Sequence, residues 1–424
     1  MITEKITIAD GVNVNYIKTD KFKTNFISFC FIAPVDEKTV HLNAMIPLIL
    51  LRGSKKYPSQ KELNKRLQYL YSGDIGTKNS KNGEFQIFGF NMDILNDKYA
   101  QGMAITKEST ELLCDIIFNP YLENGTFSEA YLKSEKSNLI DTIEAEINNK
   151  SAYTNNRCFE EMNKGTVFAV RRFGTTENVS KITTEELYSA YINALTTYPV
   201  EIYVTGDCDF SEVAADFKRH FEKINRKVTP LKKAEIIRSA TKVTQLSEKQ
   251  NIAQGKLAMG FRTGKSIEDG NYHVYHLFNE IFGASPTSKL FVNVREKMSL
   301  CYYCRSAISQ RTGVMLVSSG IKFENKEIAE KAILEQLEAM KNGDISSEEL
   351  ENAKRSLKNA YMQIYDSPSA MESWTLNRGI SNNNDIPSEE AAKVENTTVE
   401  QIAELAKGIT LDTVYFLKGE DNNG

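Results

Sequence analysis

With 424 residues, 41% hydrophobic and 25% charged, the chain is too long for a single small binding module and too ordinary in composition for a disordered or fibrous protein. Lys+Arg 52 against Asp+Glu 56 leaves a net charge of −4, without the concentrated positive charge that general nucleic-acid binding needs. No nucleic-acid partner is therefore expected.

The longest apolar stretches, Phe26–Val35 and Ala44–Leu51, fall short of the roughly 18 residues that cross a bilayer. The opening Met-Ile-Thr-Glu-Lys has no basic-then-apolar pattern. A cytoplasmic protein with no membrane partner is expected, its six dispersed cysteines free thiols.

Taken in chain order, the elements repeat. A strand-like run at Ile27–Phe31 is followed by a helix-length apolar segment (His41–Leu51), Gly53, a second amphipathic helix, Leu70, Gly83 and a strand beginning at Glu84. A shift of 230 residues superposes Leu257–Phe261, Tyr272–Phe282, Gly283, Leu300, Gly313 and a strand beginning at Val314. Further on, Phe127–Leu132 matches Ile345–Leu350 at 218, Thr184–Leu187 matches Val399–Ile402 at 215, and the closing strands before Gly206-Asp207 and Gly419-Glu420 match at 213. The falling offset places about a dozen extra residues in the first half, expected around Asp93–Lys107.

The repeat predicts an α+β chain of two homologous halves, each a mostly antiparallel sheet with helices packed on one face. Residues 1–225 and 250–424 form the halves. Residues 226–249, carrying Arg226, Lys227, Lys232, Lys233, Arg238 and Pro230, read as a solvated linker.

Two such halves, together with Ser288-Lys-Leu-Phe-Val-Asn-Val-Arg295-Glu-Lys-Met-Ser-Leu300-Cys-Tyr302, resemble the pitrilysin/insulinase family of zinc peptidases over nearly the whole chain. The family's segment supplies an Arg and a Tyr, seven residues apart, to the substrate site, and Arg295 and Tyr302 keep that spacing. An arginine offers a rigid fork of donors to a peptide carbonyl, and a phenol can stabilise a developing oxyanion.

The family's zinc motif is an inverted His-x-x-Glu-His on the first helix, with a distal Glu as third ligand. Setting Gly53-Ser54 on the family's Gly-Thr puts Ala44, Pro47 and Leu48 where His, Glu and His belong, and Thr142 at the distal position. None of the first three can bind a metal or accept a proton, so no cofactor is expected in this chain. The resemblance implies a non-catalytic subunit of a two-chain peptidase. It binds a peptide substrate and lends Arg295 and Tyr302, in trans, to a catalytic zinc-bearing paralogue. The alternative is a stand-alone peptide-binding or structural homodimer.

Other constellations are weaker. His273-Val-Tyr-His276 with Glu280 has metal-ligand spacing on a helix, but by the repeat this is a covered helix, and structural histidines are expected. Cys301-Tyr-Tyr-Cys304 lacks a second CxxC and reads as packing thiols, and Cys208 sits in a turn after a strand. There is no Walker loop, dinucleotide fingerprint or Gly-x-Ser-x-Gly.

Overall fold

In the computed structural model, which describes residues 1–309 and 311–420, the first half runs β1 Glu4–Ala9, β2 Val12–Lys18, β3 Thr24–Pro34, α1 Val40–Leu50, α2 Gln60–Tyr69, β4 Asp74–Asn82, β5 Phe85–Leu95, α3 Ile105–Phe118, β6 Leu122–Glu123, β7 Thr126–Phe127, α4 Glu129–Ala145, α5 Lys150–Met162, α6 Thr176–Lys181, α7 Thr184–Thr197, β8 Val200–Gly206 and α8 Phe210–Phe221. The second half runs β9 Thr244–Gln250, β10 Gly255–Arg262, α9 Tyr272–Asn279, β11 Cys301–Ser309, β12 Val314–Ile321, α10 Lys326–Asn342, α11 Ser347–Gln363, α12 Pro368–Ile380, α13 Pro387–Glu395, α14 Val399–Lys407 and β13 Thr410–Gly419. Two π-helical turns, Glu280–Ala284 and Leu290–Lys297, follow α9.

Apart from the two-stranded β6–β7, the described strands form two sheets of matching order. One is β1-β2-β8-β3-β5-β4, and the other, read from its far edge, is β9-β13-β10-β12-β11. Only β2–β8 and β9–β13 pair in parallel; every other neighbouring pair is antiparallel. Gly83 and Gly313 turn the corresponding hairpins at φ +62° and +63°, where a side chain would be strained. The α+β reading and the order of elements in each half hold.

The chain folds as two compact units: residues 1–144, 170–233 and 365–384, and residues 145–169, 234–364 and 385–424. Each half therefore gives one helix to the other unit. The reason lies in the strands' period of two. Along β3, Ile27, Phe29, Phe31 and Ala33 join the main apolar core with residues from α1, α3, α7 and α8. The alternate residues Ser28 and Cys30 are equally buried and meet α12, where Glu372 accepts a hydrogen bond from Ser28 at 3.0 Å. In the second unit, Cys158 and Met162 of α5 pack on Ala258, Val314 and Tyr415. Helices cover one face as expected, and the other face is also covered, by the exchanged helix.

Two further expectations change. The extra length of the first half is divided: part lies between β5 and α3, and part is the small β6–β7 hairpin. The segment read as linker ends in a strand, because Thr244–Gln250 pairs with β13 as an edge with alternating exposure. Arg226 is only half-exposed. Its guanidinium donates to the Leu195 and Tyr198 carbonyls and stacks 5.2 Å from the Phe221 ring, which ties the chain's exit from α8 to the first unit.

Candidate functional site

The helix that would carry a zinc motif is α1. Ten of its eleven residues are buried, so it is apolar all round and held by packing. Ala44 is 1% exposed, Pro47 is buried inside the helix and Leu48 is half-buried. A methyl, a pyrrolidine ring and an isobutyl group offer no lone pair. Thr142, on α4, donates its hydroxyl to the Asn138 carbonyl at 2.8 Å. The buried Glu135 nearby is taken by Arg52 at 3.0 Å. These residues do not fit a zinc ion, and no metal-assisted step is derived through them.

Arg295 and Tyr302 come together in the second unit. Arg295 lies on the π-helical turn Leu290–Lys297, a wide geometry often found at functional sites. Its guanidinium sits 4.4 Å from the Phe291 ring centroid, a stacking that holds the fork in place. Ser299, at φ +53°, turns the chain from this helix into the edge strand β11. There the register slips: Cys301 faces Ile321 and Tyr303 faces Gly320, so Tyr302 is the extra residue of a β-bulge. The bulge turns Tyr302 outward to 80% exposure, while the Tyr303 hydroxyl is engaged with Ser151 at 2.5 Å.

Arg295 and Tyr302 line one open cleft of about 490 Å³ with Cys301, Gly320 and Lys322. Lys322 was not singled out in the sequence. The hairpin β11–β12 brings it there, since Ile321 pairs with Cys301, so the strand pattern held the signal. Cys301 and Cys304 bracket the bulge. The Cys304 thiol donates to Cys301, which together with the Arg295 charge holds the Cys301 thiol below the usual range. Cys304, buried and facing that sulfur, is pushed up.

The two histidines with metal-ligand spacing, His273 and His276, are engaged in packing. His276 Nδ1 lies 3.2 Å from the Tyr361 hydroxyl and its ring 4.4 Å from that of Tyr272; burial lowers the pKa of His273. Glu280 accepts from Ser356 at 2.6 Å. Cys208 sits in the turn before α8, its thiol pushed up to about 12 by burial. Among the described residues no group of three His, Cys, Asp or Glu is placed to hold a metal ion, and no helix is long and apolar enough to cross a membrane.

The family model described as Peptidase M16 inactive domain matches residues 181–357. A Bacillus subtilis (strain 168) protein named probable inactive metalloprotease YmfF is 33% identical over 413 residues, 97% of this chain and 96% of that protein. The chain belongs to the M16 family, the pitrilysin/insulinase peptidases. As an M16 protein it is a non-catalytic member. It also resembles the uncharacterized zinc protease YmxG of the same organism, at 26% identity over 61% of each chain. The crystal structure of a conserved protein from Enterococcus faecalis V583 superposes with a TM-score of 0.92 at 29% identity, covering 99% of both chains. These similarities extend over nearly the whole chain, beyond the 181–357 segment that the family model recognises.

Proposed function

We infer that this chain is the non-catalytic subunit of a two-chain peptidase, binding a peptide and presenting Arg295 and Tyr302 to a zinc-bearing paralogue in the cytoplasm. The observation that carries this reading is the Arg295–Tyr302 cleft. A chain with Ala44, Pro47 and Leu48 at the zinc-motif positions keeps a stacked guanidinium and an 80% exposed phenol, set outward by a bulge, on the rim of one cleft. Stability alone gives no reason for a tyrosine so exposed. The resemblance to both an inactive metalloprotease and a zinc protease of one organism agrees with a paired arrangement. The peptide is read as adding a strand along a sheet edge, through main-chain hydrogen bonds that do not depend on its sequence.

In this mechanism Arg295 donates to a backbone carbonyl of the bound peptide, and the Tyr302 hydroxyl donates to the oxygen that becomes negative as the carbonyl is attacked. The test is coexpression with an M16 paralogue that carries an intact zinc motif, followed by steady-state kinetics. Tyr302→Phe should lower turnover about 100- to 1,000-fold with assembly intact, the usual cost of one oxyanion donor. Arg295→Ala should raise KM as well, because it removes a ground-state contact. Unchanged kcat and KM in both variants would refute the reading. A stable homodimer that binds peptide and ignores the paralogue would point instead to a stand-alone binding protein.

A further inference from the structure

The cleft that holds Arg295 and Tyr302 carries more positive charge than contacts to an uncharged peptide backbone require. Arg295 and Lys322 both line it, and among the described residues neither is paired with a carboxylate. Arg295 is half-buried with its guanidinium on the Phe291 ring, and Lys322 is exposed. Glu296, also on the lining, is exposed and pairs with neither, so two cations stand against one carboxylate.

The strand register sets a third cation beside them. Gly320 lines the cleft and pairs with Tyr303 on one side and Lys256 on the other. The half-buried Lys256 ammonium lies 5.6 Å from the Tyr303 ring centroid and donates to the Gln254 amide oxygen at 2.6 Å. It has no carboxylate partner among the described residues, and burial lowers its pKa. Elsewhere in the same unit Lys289, Arg262 and Lys326 each meet a carboxylate, at 2.8, 2.9 and 2.5 Å. Unneutralised charge of one sign on the walls of a cleft focuses its field there and draws in the opposite charge.

We propose that the cleft selects peptides that carry a carboxylate, from an acidic side chain or from the chain's own C-terminus, close to the carbonyl held by Arg295, and that Lys322 is the residue that reads it. This rests on the peptide-binding reading of the same cleft and adds the class of peptide it takes. The two cations suit different tasks. Arg295 is a planar fork fixed on Phe291, whereas Lys322 is a compact charge on a flexible stem that can follow a carboxylate. Because Ile321 pairs with Cys301, Lys322 and Tyr302 each stand one residue from that pair, so a peptide that touches Tyr302 passes beside Lys322.

Fluorescence anisotropy of the full chain with labelled alanine-based octapeptides tests this. One peptide has a central Glu and both ends blocked, one a central Gln and both ends blocked, and one a central Gln and a free C-terminal carboxylate. A carboxylate peptide should bind about fivefold tighter than the blocked Gln peptide, the upper end for one exposed ion pair, and the excess should vanish in about 0.5 M salt. Preference for the Glu peptide assigns the side chain as the source, and preference for the free terminus assigns the chain end. Lys322→Gln should bring the ratio to about one and Lys322→Arg should keep it. Lys322→Glu should favour a Lys-bearing peptide instead, with circular dichroism unchanged in all three variants. The same ratio should appear in kcat/KM of the complex coexpressed with the zinc-bearing paralogue. Turnover indifferent to Tyr302→Phe, with the binding ratio intact, would sink the catalytic reading and leave this one standing. Tyr302-dependent turnover without a carboxylate preference would overturn this one alone. Equal binding of all three peptides, no saturable binding of any, or a preference that survives Lys322→Gln would overturn it as well.

Discussion

Removing Glu372 should unseat α12 from the first unit's sheet. Glu372 is 1% exposed and accepts from Lys78 Nζ at 2.7 and 2.8 Å and from Ser28 at 3.0 Å. The Lys78 side chain is itself only 14% exposed. Glu372→Ala leaves that ammonium buried without its counter-charge and the Ser28 hydroxyl without an acceptor. Breaking one side of such a pair costs about 3–5 kcal/mol, whereas replacing both sides by apolar groups of similar volume is near neutral or stabilising. Glu372→Leu with Lys78→Met should therefore stay within about 1.5 kcal/mol of the parent, far from the sum of the single changes. Trp374, the chain's one tryptophan, lies two residues along the same helix, so its fluorescence in a urea titration reports this docking directly. A Glu372→Ala variant within about 1 kcal/mol of the parent, or a double variant no more stable than the single, would refute the reasoning.

Other outcomes follow from the same geometry. Alkylation near neutral pH with peptide mapping should modify Cys301 first, because its depressed pKa enlarges the thiolate fraction and it opens on the cleft. Cys30 and Cys158, buried and pushed up to about 12, should react only on unfolding. His41, His220 and His273 are all lowered from 6.5, mainly by burial. The unfolded chain thus takes up these protons first, and stability should be full above about pH 6.5 and fall as the pH drops through the folded-state values. Melting temperatures between pH 7.5 and 5.5 would show this, and His41→Gln and His273→Gln should each flatten the slope.

The architecture was legible where it depends on local pattern. Gly83 and Gly313 turn equivalent hairpins, and each half keeps one strand order because the same spacings of strand, helix and turn recur. The loss of zinc ligands at Ala44, Pro47 and Leu48 was legible for the same reason, since a methyl or a proline ring cannot coordinate wherever the fold puts it. Thr244–Gln250 was not legible in this way, because with one leucine among seven residues it has no apolar alternation, and only its pairing with β13 makes it an edge strand.

Tertiary structure alone decided the rest. The pattern of α12 shows that it buries a face, yet which sheet receives it depends on Ser28, Lys78 and Glu372, which are 344 and 294 residues apart in sequence and meet only when the chain is folded. The outward set of Tyr302 is a two-against-one mismatch between β11 and β12, a property of the pair that neither strand carries by itself.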